Sequence, residues 1–159
     1  MTAPMLERRR IEAEILALVY DEMKAEFDAD TAKRIIANAV SKSAIAQGRA
    51  LAEQQGGKTS LAGFLEFQPL WTAGGTLEIE KGSEGPAHHE FTVKRCQYAE
   101  MYQDMGLADL GFLLSCNRDG TLCEGYDSKL KLARSQTIME GAEHCDFKFT
   151  YGAPDDGSA

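Results

Sequence analysis

The spacing of apolar residues along this chain changes period more than once, and that limits the folds open to it. Ile11, Ile15, Leu18 and Val19 recur at i, i+4, i+7 and i+8, placing one apolar stripe on a helix of about residues 6 to 27. "DADTAKRIIANAVSKSAIAQGRALAEQQGG" predicts a second helix, with Asp30 or Thr31 as N-cap and Gly56-Gly57 as its stop. Ile35, Ile36, Ala39, Val40, Ser43, Ala44 and Gln47 keep helical spacing there, and the many Ala and Ser residues permit close approach to a partner. "SLAGFLEFQPLW" predicts a short third helix ended by Pro69.

The period then drops to two. "TLEIE" and "HEFTVKRC" alternate apolar and polar residues around the turn-rich "KGSEGPA", which predicts an antiparallel hairpin. Helical spacing returns in "YAEMYQDMGLADLGFLLSC", interrupted near Gly106, and two short strands follow in "KLKLARSQT" and "CDFKFTY". The order is helices, hairpin, helices, hairpin. It predicts an α+β fold, in which N-terminal helices and a central helical pair pack on one face of a four-stranded antiparallel sheet. Residues 1–159 read as one domain with a core of about 7 to 151, and the tail from 152 to 159 reads as disordered.

Charge removes several functions. A net charge of −8 disfavours a phosphate backbone, so no nucleic-acid partner is expected, and Arg8-Arg9-Arg10 reads as a solvated first turn. No apolar run approaches the roughly 20 residues that span a bilayer, and the N-terminus lacks the apolar core of a secretion signal. The expectation is a cytoplasmic protein without a membrane partner. Sheet edges and the Ala-rich helix offer surfaces for a homo-oligomer.

Candidate chemistry gathers between residues 96 and 146. Cys96, Cys116, Cys123 and Cys145 show no CxxC spacing, and a reducing compartment disfavours structural disulfides. Cys116 lies where an apolar helix is expected to end, with Asn117-Arg118-Asp119-Gly120 as its cap and turn. A buried thiol accounts for such a residue. A nucleophile accounts for it too, if a neighbouring cation lowers the thiol pKa. Arg118 supplies a charge, His144 a base, and Asp119 a group to orient either. Glu100 shares a helical face with Cys96 and is an alternative acid or base. His144 and Asp146 point to one side of the last strand and Cys145 to the other. For a substrate carboxylate, Arg118, Arg134 and Lys94 are the local cations, with Arg the better bidentate partner. His88 and His89 alternate across a strand and do not serve one ion. A zinc site drawn from Cys96, Cys116, Cys145, His144 and Glu100 has no spacing rule behind it; the expectation is no cofactor, with zinc as the alternative.

"RRRIEAEIL", "CQYAE", "LGFLLSCNRD", "TIMEG" and "HCDF" together resemble the L-2-amino-thiazoline-4-carboxylic acid hydrolase family, over about residues 7 to 150. The resemblance implies a small hydrolase that opens a cyclic amidine or amide-type C–N bond in a small-molecule substrate. In the reaction that names the family, a 2-aminothiazoline ring opens to a carbamoyl-cysteine. It implies Cys116 as nucleophile, His144 and Asp119 as proton-handling partners, and Glu100 as an alternative; metal-activated water is the competing mechanism. Arg118, Arg134 and Asp146 are the candidate substrate-binding residues. A fainter likeness over residues 116 to 149 is to vinyl-reductase-type small-molecule-binding domains, related to transport-particle subunits. Some of those sensors hold zinc at positions that here are Arg134 and Thr137, and neither residue suits that ion.

Overall fold

The computed structural model describes residues 4–152. Most of the predicted tail, 153–159, lies outside the described residues. The elements run α1 (Met5–Glu26), α2 (Ala29–Gln54), α3 (Leu61–Leu65), α4 (Pro69–Thr72), β1 (Leu77–Gly85), β2 (His88–Cys96), α5 (Gln97–Asp104), α6 (Asn117–Tyr126), β3 (Leu130–Ala133) and β4 (Cys145–Tyr151). The four strands form one antiparallel sheet in the order β1-β2-β4-β3, and the fold is α+β. Among the described residues no helix is long and apolar enough to cross a membrane.

The alternation in β2 and β4 decides where the core lies. Phe91 and Val93 share a face with Cys145, Phe147 and Phe149, and the Phe91 and Phe147 rings stack at 4.8 Å. Lys94 and Lys148 alternate with them and are exposed. The helices cover the apolar face. Buried Ala32, Ile36, Val40, Ala44, Gly48 and Leu51 form the inner ridge of α2. α6 lies almost backbone to backbone against that ridge: a Cβ on Gly125 would sit 2.1 Å from the Ile45 carbonyl oxygen, and one on Gly48 2.3 Å from that of Leu122. The small residues of α2 therefore serve the close approach expected of them.

Four local expectations change. Asp28, not Asp30 or Thr31, caps α2, accepting a bond from the Thr31 amide at 2.7 Å. Pro69 opens a helical turn as its first residue rather than ending one. The apolar stripe of α1 exists but faces outward, and the helix buries Ala13 and Tyr20 together with Arg9. Arg9 is thus not part of a solvated first turn. Finally, residues 117–120 are no cap and turn. Residues Phe112–Cys116 form a π-helical turn that runs straight into α6. Asn117 ties the start of α6 to the Ala37 carbonyl and Ser41 Oγ of α2, each at 3.2 Å, so tertiary bonds carry the helix through a stretch whose residues favour turns.

Candidate functional site

A cavity of about 100 Å³ lies between the apolar face of the sheet and the helices. Its walls are mostly hydrocarbon and aromatic, from Phe64, Trp71, Phe91, Val93, Leu122 and Phe149 among others. Arg9 of α1, Gln47 of α2, Gln68, and Tyr98 of α5 add polar groups to the wall, and a denser polar cluster comes from one helical segment and the residue after β3. The π-helical turn and α6 contribute Ser115, Cys116, Arg118 and Asp119, and Arg134 follows Ala133, the last residue of β3. π-turns recur at functional sites because the extra residue re-aims the side chains that follow. Here Cys116 and Asp119, three apart, share one helical face.

Arg134 organises this end of the cavity. Its Nη1 donates to Asp119 Oδ2 at 2.6 Å and its Nη2 to the Cys116 carbonyl at 3.1 Å, with the guanidinium 5.0 Å from the Phe147 ring centre. Burial alone would lower the Arg134 pKa, but Asp119 more than offsets this and holds it above the ordinary value. Burial pushes the Asp119 carboxyl up despite Arg134. About 35% of the Asp119 side-chain surface is still free, and the residue lines the cavity. The Cys116 thiol is also pushed far up, first by burial and then by the negative charge of Asp119, with only part returned by Arg134. The thiol is protonated near neutrality.

Two further thiols meet the same space. Cys96 accepts a bond from the Ala99 amide and Cys145 one from the Ile138 amide. Burial raises both, Cys96 to about 11. Arg118 donates from Nε to the Leu114 carbonyl at 2.9 Å and from Nη2 to Glu12 Oε2 at 3.0 Å, while Arg9 reaches the same carboxylate at 2.8 and 3.1 Å. Burial, and then Arg9, lowers the Arg118 pKa. Sequence reasoning missed Arg9 and Glu12. Arg9 lies one turn before Ala13 on the buried side of α1, but the apolar stripe of Ile11, Ile15 and Leu18 marks the opposite side, so the spacing carried no signal for it.

The predicted site residues thus divide. Cys116, Asp119, Arg118 and Arg134 come together at the cavity. His144, Glu100 and Asp146 do not line it. His144 sits in the turn before β4, with Nε2 2.8 Å from Gln136 Nε2. Glu100 lies on the outer surface in a bidentate pair with Arg95 at 2.8 and 3.0 Å, which holds it below the usual carboxylate range. Asp146 accepts from the Ser135 and Gln136 amides and from Ser135 Oγ; burial opposes ionisation, but these bonds hold its carboxyl below the ordinary range. It fixes the turn after β3. Strand alternation turns Asp146 away from the cavity that Cys145 faces, and His144, in the turn before β4, lies against Gln136 instead. Among the described residues no three His, Cys, Asp or Glu side chains are grouped to hold a metal ion.

The fold and sequence both have relatives. The phenol-responsive sensory domain of the transcription activator PoxR, solved with phenol, superposes with a TM-score of 0.54 at 15% identity, covering 87% of this chain and 73% of that one. At that identity the likeness is one of fold. No curated protein matches the sequence. A family model does: the one described as L-2-amino-thiazoline-4-carboxylic acid hydrolase matches residues 8–149, and the chain belongs to that family.

Proposed function

We propose that this protein admits a small ring compound to the cavity and hydrolyses an endocyclic C–N bond of a cyclic amidine or amide there. Cys116 is the nucleophile and Asp119 the base. The observation that carries this reading is the convergence of Cys116, Asp119 and Arg134 on one apolar cavity. Its volume approaches the roughly 150 Å³ that holds a benzene ring in an engineered core, so a five-membered ring enters with modest side-chain movement. A carboxylate with a raised pKa is a stronger base toward a thiol than a solvent-exposed one. In the proposed sequence Asp119 takes the Cys116 proton as sulfur adds to the amidine-like ring carbon. The endocyclic bond to the departing heteroatom then breaks, and that atom receives the proton from Asp119. Water, deprotonated by Asp119, attacks the same carbon; the Cys116–carbon bond breaks and the thiol is protonated again. One water is consumed, with no change of oxidation state.

Turnover of 2-aminothiazoline-4-carboxylate and a panel of hydantoins, lactams and cyclic amidines tests this. Cys116→Ala is expected to lower kcat/KM at least about a thousandfold while thermal-shift binding persists. Full activity in Cys116→Ala, or stoichiometric zinc with chelator-sensitive turnover, would overturn the nucleophile. A second reading, a ligand-binding domain without chemistry, is favoured by the burial that keeps the Cys116 thiol protonated; the PoxR domain, a sensor of phenol, has this fold. Binding without product from any member of the panel would decide for it.

A further inference from the structure

Helix α1 has two apolar sides, and the fold covers one of them. Ala13 and Tyr20 are buried, with Leu16 and Met23 half-buried beside them. At about 100° per residue, Ile11, Ile15, Leu18 and Val19 fall on the other side of the helix. They are 52%, 61%, 61% and 43% exposed. Scattered apolar residues on a surface need no explanation, but a contiguous stripe at helical spacing fits an interface.

The ends of the stripe carry opposite charges. Arg8 lies seven residues before Ile15 and Glu22 seven after it, both on the stripe's side of α1 and both exposed. Neither forms an ion pair among the described residues, whereas Arg9, Arg10 and Lys24 all do. The geometry points to a homodimer in which a second copy of this chain lies antiparallel across α1, on a two-fold axis at Ile15. Such an axis sets Ile15 against its own copy, Ile11 against the second copy's Val19, and Arg8 against the second copy's Glu22. The contact is isologous, so it closes at two chains. A parallel pairing would instead set Arg8 against Arg8 and Glu22 against Glu22. Burial of the stripe supplies the free energy, while the terminal charges, weak at a surface, set orientation and register.

Sedimentation or light scattering of the full chain over a range of concentration tests the dimer. Wild type is expected to dimerise, and Ile15→Glu to raise the dimer Kd by at least about 30-fold with circular dichroism unchanged. Arg8→Glu and Glu22→Arg should each weaken self-association, because each variant places like charges at both ends. An equimolar mixture of the two should recover it, since the mixed pair has opposite charges at both ends. A wild-type chain that stays monomeric to its solubility limit overturns the proposal. So does a dimer indifferent to Ile15→Glu, or a mixture that fails to recover association.

Discussion

Arg134 is the residue through which the site is held together, since it bonds Asp119 and the Cys116 carbonyl at once and is 10% exposed at its side chain. Removing one member of a buried ion pair strands the other. Arg134→Ala is therefore expected to cost roughly 3 kcal/mol in urea unfolding, the low end for such pairs because Asp119 keeps free surface toward the cavity. The double variant Arg134→Ala/Asp119→Ala should recover part of that loss, as no unpaired charge then remains. Activity has its own residue-scale test. In its proposed role as base Asp119 must be ionised, and its pKa lies above the ordinary carboxylate value. The pH profile of kcat/KM should fall, as pH is lowered, through an apparent pKa above the usual carboxylate range, and Asp119→Asn should abolish that limb. At this scale Cys116, Arg118 and Asp119 were legible as chemistry-bearing side chains close together in sequence, whereas Arg134 was named only as a cation of the following strand segment. Glu100 was chosen for sharing a helical face with Cys96, and His144 as a base beside the last strand. Their directions depend on which side of a strand or helix faces inward, and that is set by packing.

Between elements, the close contact of α2 with α6 fixes where the π-helical turn and α6 aim Cys116 and Asp119. It exists because Gly48 and Gly125 lack a Cβ where backbone atoms of the facing helix stand. Gly125→Ala should destabilise by about 1–3 kcal/mol or more, read by denaturant unfolding, because the atom in the way is backbone and cannot rotate aside. A smaller effect belongs to the start of α2. Asp28→Ala removes the bond to the Thr31 amide and should lower the denaturant midpoint measurably, whereas Asp30→Ala should be nearly silent. The existence of α1, α2, the β1–β2 hairpin and β4 could be read from periodicity. The continuation of helix through residues 117–126 could not, because Asn117, Asp119 and Gly120 each favour a turn locally. Anchoring of Asn117 and Arg118 to other parts of the chain outweighs that preference.

For the molecule as a whole, burial of thiols couples stability to alkaline pH. An unperturbed thiol ionises near 9.0, whereas Cys96 is raised to about 11 and Cys123 to about 12, and Cys116 and Cys145 are raised as well. The unfolded chain therefore releases thiol protons first as pH rises. The stabilisation is complete below about pH 9 and is lost progressively toward pH 11 to 12, with a slope of up to about 1.4 kcal/mol per pH unit for each thiol. Urea unfolding between pH 8 and 11 should show the decline, and Cys123→Ala should flatten it by one thiol's share. The α+β class and the segments that form strands and long helices follow from the residues alone, because period and turn residues act locally. The sequence also places Cys116, Arg118 and Asp119 within four positions of one another. Long-range packing is what brings Arg134 to them, buries Arg9 while leaving Ile15 exposed, and keeps His144 off the cavity. Those outcomes depend on which of two available faces each element buries, and a helix with two apolar sides does not carry that choice in its own residues.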